Sequence, residues 1–240
     1  MTRPLASLAA AATLTAPVLA TLGMAASSAA AADAAHPVVV ELFQSQGCSS
    51  CPPANANVAA LADRPGVLAL SFGVTYWDSL GWKDTFATPQ YTARQWDYAH
   101  GFHHDNVFTP QVVINGHRDG VGVDKAELRR LLIAGDRGDG GPAVSIRPGA
   151  VTVGRAPARG SADVWLVRYD PRVVEVPIKR GENGGRTLPH KDIVRELIRL
   201  GRWSGAAATY ALPKAADPAF RTAVLVQAPG GGPILAAARS

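Results

Sequence analysis

Two cysteines and two methionines stand in 240 residues. Two thiols cannot make a disulfide-dense scaffold, and two thiolates alone cannot fill a four-ligand zinc site. Charge is also scarce. Charged residues make 18% of the chain and the formal net charge is +5, an ordinary solubility charge that gives no argument for nucleic acid. A membrane-spanning helix needs about 20 strongly apolar residues, and Thr13, Thr15, Pro17 and Thr21 interrupt the alanine-rich run near the N-terminus. No Gly-Lys-Ser/Thr follows the glycines at 181–185, so no phosphate-cradling loop is encoded there. Gly and Pro total 42 residues, below the roughly 25–30% of low-complexity chains. The apolar 47% is that of a globular protein.

Residues 1–34 read as a secretory signal peptide. Arg3 supplies the basic end, an alanine-rich run through Ala20 the apolar middle, and small residues from Ala25 the exit, with cleavage expected after Ala32 or Ala34. A retained anchor is the competing reading. No Arg-Arg pair marks the twin-arginine route, and no Cys near the cleavage region accepts a lipid. The expectation is an exported protein, periplasmic or extracellular, with no stable membrane anchor after cleavage, in a compartment that permits Cys pairing.

The pattern beyond residue 36 falls into two halves. Val38 to Phe43 reads as a strand, Ser45 to Cys51 as a loop, a helix opens at Pro52 or Pro53, and Val67 to Phe72 is a second strand. This is a β-α-β unit, which favours a parallel pair. Residues 76–108 hold nine of the sixteen aromatics and read as an insertion with a helix over 88–98. A strand at 110–114 ends in an Asn115-Gly116 turn, with Val121 to Val123 as return strand and Asp124 capping a further helix. The Gly/Asp-rich stretch 136–142 reads as a boundary. Residues 142–240 are strand-like, with one helix expected from Pro189 to Gly201 on an Ile193, Val194, Leu197, Ile198 stripe.

The chemistry concentrates at Cys48-Ser49-Ser50-Cys51. A Cys at the amino end of a helix feels the positive end of the aligned peptide dipoles and the unpaired N–H groups, which favour thiolate. Thiolate is the nucleophile of thiol–disulfide exchange. Cys48, farther from the helix body, is assigned as the exposed nucleophile and Cys51 as the resolving partner and helix N-cap, with a Cys48–Cys51 disulfide as the oxidised form. Ser49 and Ser50 are candidate donors to the sulfur. The competing reading is a structural disulfide, although a loop this short constrains the unfolded chain little. Exchange requires no dissociable cofactor. It requires a protein or small-molecule thiol or disulfide as substrate, and a redox partner that recycles the site.

Residues 38–116 resemble the thioredoxin superfamily in motif order: strand, Cys-x-x-Cys, helix, strand, then Thr109-Pro110 and strand. The resemblance implies a cis Thr109–Pro110 peptide beside the cysteines, presenting backbone to a substrate. The chain beyond the signal resembles a bacterial family of secreted thioredoxin-like proteins, domain of unknown function 1223. Matching stretches are Val40 to Phe43, Ser45 to Ala54, Tyr76-Trp77-Asp78, Leu80 to Asp84, Thr109-Pro110-Gln111, Asn115-Gly116, Arg180 to Asn183 and Gly185 to Leu188. Gly73 and Thr75 stand where relatives are expected to carry His and Asp, and Gly47 where thioredoxin has Trp. The fold expected is α/β: a thioredoxin-like domain over 36–138, then a smaller β-rich, sandwich-like domain over 142–240.

Three further readings compete. Cys48 and Cys51 with His103 and His104 form a candidate copper(I) set, by ligand softness. Arg195, Arg199 and Arg202 would share one helical face, either as an anionic-partner surface or as a solvated face. Glu182 and His190 are candidates for a small polar site in a binding module.

Overall fold

The computed structural model describes residues 1–2, 36–138 and 140–240. The signal-peptide reading therefore falls almost wholly outside the described residues. The opening unit is as expected: β1 (Val38–Gln44), α1 (Cys51–Ala62) and β2 (Val67–Gly73). β1 and β2 run parallel, from Val38 opposite Val67 to Gln44 opposite Gly73. Every residue of β1 is buried, which fits its near-continuous apolar sequence, since strands covered on both faces read this way. α2 (Pro89–Gly101) is capped by Thr88, whose hydroxyl oxygen accepts the Tyr91 N–H at 3.3 Å. β3 (Gln111–Ile114) is antiparallel to β1. Asn115 (φ 49°) and Gly116 (φ 62°) then turn the chain into β4 (Arg118–Gly120), earlier than the return strand expected at 121–123. α3 (Lys125–Ala134) starts where Asp124 accepts the Glu127 N–H at 2.7 Å.

The second half adds β5 (Val144–Arg147), β6 (Ala150–Val153), β7 (Ala162–Asp170), β8 (Val174–Pro177), β9 (Thr187–His190), β10 (Ile193–Trp203), β11 (Ala208–Ala211), β12 (Arg221–Gln227) and β13 (Ile234–Arg239). The helix expected over 189–201 is wrong: Pro189 and His190 end β9, and 193–201 lie in the longest strand, β10. The cause is visible in its pairing with β7, where register shifts fall between Val194 and Glu196 and between Arg199 and Gly201. Each bulge inserts a residue and resets the alternation. Val194 and Leu197, which an unbroken strand would send to opposite faces, thus enter one core. The first of these bulges, between Val194 and Glu196, gave the strand a helix-like spacing.

The expected boundary at 136–142 does not separate two sheets. One eight-stranded sheet has the order β13-β12-β7-β10-β2-β1-β3-β4 and draws on both halves. The seam between them is narrow: β10 meets β2 through one parallel pair, Ile193 opposite Ser71, and the Ser71 N–H donates to the Asp192 carbonyl at 2.8 Å. Side chains close the rest. On one sheet face Phe43, Leu70 and Phe72 of the first half pack with Val167, Tyr169, Leu197 and Leu225 of the second, under Tyr91 and Tyr98 of α2. The aromatic segment is therefore part of the core. On the other face α1 and α3 cover the first-half strands, through Ala54, Val58, Leu61 and Leu128. The sheet β11-β6-β5 covers the second-half strands around Trp203. β8 and β9 form a separate ribbon. The architecture is mixed α/β, with one large mixed sheet and three α-helices among the described residues.

Candidate functional site

Cys48 and Cys51 are joined by a disulfide, with Cα atoms 5.5 Å apart. The Cys51 N–H donates to the Cys48 carbonyl at 3.2 Å, which closes the turn leading into α1. Ser50, rather than Cys51, is the N-cap, and its side chain makes no capping bond. Cys51 begins the helix. Pro52 and Pro53 follow and carry no N–H, so the first turn offers fewer backbone donors than an ordinary helix start. The aligned peptide dipoles remain. Ser50 brings the missing donor, with Oγ 3.3 Å from the Cys48 sulfur. Its single proton is also within reach of the Thr109 carbonyl, at 3.4 Å.

Thr109–Pro110 is a cis peptide. Ser50 thus links the disulfide turn to the Thr109–Pro110 backbone, and the two sequence motifs meet in space. Trp77 holds the far side, with Nε1 donating to the Thr109 hydroxyl oxygen at 2.7 Å. Nearby, burial pushes the Tyr76 hydroxyl up to about 12, which keeps it neutral. Behind the turn, Gln46 is clamped by residues 82–86. Its N–H donates to the Asp84 carboxylate (2.7 Å), its side-chain oxygen accepts from Trp82 Nε1 (2.9 Å), and its amide donates to the Thr85 hydroxyl oxygen (2.9 Å). Burial raises the Asp84 carboxyl, against the Gln46 and Phe86 N–H groups that lower it.

One expectation about the thiols is overturned. Cys48 is 0% exposed and Cys51 1%, so Cys48 is not the more accessible sulfur. Sequence reasoning missed part of the surrounding wall. The loop between β8 and β9 lies against the disulfide turn, through Glu182 on Ser49 and Asn183 on the carbonyls of Gln46 and Cys48. The Ser49 hydroxyl and N–H hold the Glu182 carboxyl below its ordinary value. The signal available was Arg180-Gly181-Glu182-Asn183, one of the stretches that carry the family resemblance, with Glu182 assigned to a polar site with His190 instead.

The other candidates separate. His104 Nε2 lies 2.9 Å from Asp119, His103 sits in a left-handed turn at φ 60°, and no group of three or more His, Cys, Asp or Glu assembles among the described residues. The copper set is not gathered. Glu182 and His190 also part: Glu182 binds Ser49, while His190 is buried edge-on against Phe86, ring centroids 5.7 Å apart. His190 shares a small cavity with Asn55 and Asp192. Desolvation lowers the His190 imidazole to about 4 and raises the Asp192 carboxyl to about 6. The basic residues of β10 are not a helical face. Arg199 pairs with Asp163, and Arg195 stacks over Phe86 and Phe220. At Gly73, a Cβ would lie 2.9 Å from the Ala87 nitrogen, so the backbone at 86–87 fills the space a side chain there would need.

No curated protein matches the chain. A crystal structure of a protein from Agrobacterium tumefaciens is similar, with 30% identity and TM-score 0.70 over 84% of this chain and 92% of that one. HBP35 of Porphyromonas gingivalis shares the fold at 12% identity, with TM-score 0.53 over 85% of this chain and 74% of that one. The family model described as Protein of unknown function (DUF1223) matches residues 39–227, and with most of the chain so covered the protein belongs to that family.

Proposed function

We propose that the protein is an exported, thioredoxin-like thiol–disulfide exchange protein working through Cys48 and Cys51. The observation that carries this reading is the Cys-x-x-Cys disulfide at the start of α1, set through Ser50 against the cis Thr109–Pro110 peptide. In the oxidised protein a partner thiolate attacks the Cys48 sulfur. The Cys48–Cys51 bond breaks, Cys51 leaves as thiolate, and a mixed disulfide forms. A second partner thiol releases Cys48. Two electrons and two protons then reside on the protein, and the partner leaves as a disulfide. The reverse sequence begins with Cys48 thiolate attacking a partner disulfide and Cys51 resolving it. In this reading Ser50 Oγ, 3.3 Å from the Cys48 sulfur, donates to a Cys48 thiolate, and Thr109–Pro110 holds the partner chain. Substrates are protein or small-molecule thiols or disulfides in the periplasm or outside the cell, with a separate redox partner to recycle the site. The electrons travel in the disulfide, so the reading calls for no dissociable cofactor.

Burial of both sulfurs favours a second reading, a structural disulfide. Reduction potential decides between them, because structural disulfides in secreted proteins lie below about −300 mV. Redox equilibration of the protein without its signal, read by alkylation and mass spectrometry, is expected to give a potential above that value. A potential below it overturns the exchange reading. Cys51→Ser is expected to trap mixed disulfides through Cys48 from a periplasmic or culture extract.

A further inference from the structure

The β8–β9 ribbon is a sheet of its own, lying beside α1, and its loop bonds to the disulfide turn. Two consecutive loop residues, Glu182 and Asn183, bond to the turn. Asn183 Nδ2 donates to the Cys48 carbonyl, and equally to that of Gln46, at 2.9 Å each. Glu182 accepts the Ser49 N–H at 3.1 Å and the Ser49 hydroxyl at 2.7 Å. The loop is braced within itself by Gly184 N–H to Gly181 O, Gly185 N–H to Ile178 O, and Arg186 to the Asn183 side-chain oxygen.

The two contacting side chains are unlike. Asn183 is completely buried and satisfies two inward carbonyls that water does not reach while the loop is down. Glu182 is exposed, so its bonds to Ser49 compete with water and exchange easily. One is an anchor and the other an outer latch. The sulfur they flank has no exposed surface, whereas exchange requires a nucleophile to reach it in line.

Resting on the exchange reading, we propose that the loop 178–186 is a gate over the Cys48–Cys51 disulfide, anchored by Asn183 and latched by Glu182 on Ser49. Cys48 becomes reachable when the loop lifts, and the partner is one that displaces it.

The test is the rate at which tris(carboxyethyl)phosphine reduces the oxidised protein under native conditions, quenched by alkylation and read by mass. The phosphine takes an oxygen from water as the disulfide becomes two thiols, so no biological partner is needed. Glu182→Gln and Ser49→Ala are each expected to speed reduction several-fold, Ser49→Ala the less because it keeps the Ser49 N–H bond to Glu182, and the double variant by less than the product of the two, because both weaken one contact. Asn183→Ala is expected to speed it about tenfold or more. Asp163→Asn, which breaks a remote ion pair, is the control and keeps the wild-type rate. Urea unfolding of Glu182→Gln is expected to match wild type, which separates gate opening from global loss of stability. Wild-type reduction rates in both Glu182→Gln and Ser49→Ala overturn the gate even where Asn183→Ala does not fold. A potential below about −300 mV together with latch-dependent rates sinks the exchange reading and leaves the gate. A higher potential with latch-independent rates does the reverse.

Discussion

Arg94→Leu should be among the most damaging single changes in the core. Arg94 on α2 meets Glu41 on β1 in a two-pronged pair, Nε to Oε1 at 2.7 Å and Nη2 to Oε2 at 3.1 Å. Nη2 also reaches the Tyr98 hydroxyl (3.0 Å) and the Gln227 side-chain oxygen on β12 (2.9 Å). The guanidinium stacks over Tyr98, with its carbon 5.1 Å from the ring centroid. Burial holds the Tyr98 hydroxyl well above its ordinary pKa, so it is a neutral donor to Glu41. Glu41 is completely buried. Leu at 94 leaves its carboxylate with Tyr98 alone, and removing one partner of a buried pair costs about 3–5 kcal/mol. Against a typical total of about 5–15 kcal/mol, that is a large share. Urea unfolding followed by Trp fluorescence measures it. Because Gln227 ties the network to the second half, a single transition with unchanged slope is expected. Combining Glu41→Leu with Arg94→Leu should restore about 2 kcal/mol or more relative to the sum of the single changes. A loss below about 1 kcal/mol for Arg94→Leu, or strictly additive single changes, refutes the reasoning.

The cavity residues predict opposite pH slopes. His190 falls from 6.5 to about 4 on folding, so the unfolded chain binds the extra proton and the stability His190 contributes is lost as pH drops toward 4, by up to about 3 kcal/mol. Asp192 rises from 3.8 to about 6, so its contribution is present at low pH and lost as pH rises through 6. Between pH 6.5 and 4.5, His190→Leu is expected to gain stability on acidification relative to Asp192→Asn. Parallel stability–pH curves for the two variants contradict this. At Gly231 (φ 70°) a Cβ would lie 2.3 Å from the Asp97 carbonyl oxygen, so Gly231→Ala should cost about 2 kcal/mol or more in thermal or urea unfolding. An unchanged midpoint means that α2 and this turn move apart freely. Trp77→Phe, which loses the bond to Thr109, should cost about 1 kcal/mol. Finding no loss means that water replaces the indole donor.

What the sequence disclosed and what it hid follow from range. Some local signals held: Asp124 caps its helix, and Asn115-Gly116 turns the chain. The Cys-x-x-Cys and Thr109-Pro110 motifs mark two pieces that come together. Long-range pairing was not written in any window. β10 kept the composition of a strand, with Ile193, Val194 and Ile198, while its first bulge imitated the spacing of a helix. The wall over the disulfide comes from residues more than 130 positions away in sequence, and nothing in Gly181-Glu182-Asn183 announces which surface it will cover. Cys48 is buried where exposure was expected, and that same distant loop holds its backbone carbonyl.

The seam of one residue pair between β10 and β2 bears on how this sheet is assembled. Hydrogen-bonded ladders hand alignment from strand to strand, so a slip in one is inherited by the next. Here that inheritance stops at Ile193 and Ser71. Each flank can therefore settle its own alignment, and side-chain shape, with α2 laid across both, decides how the finished flanks meet.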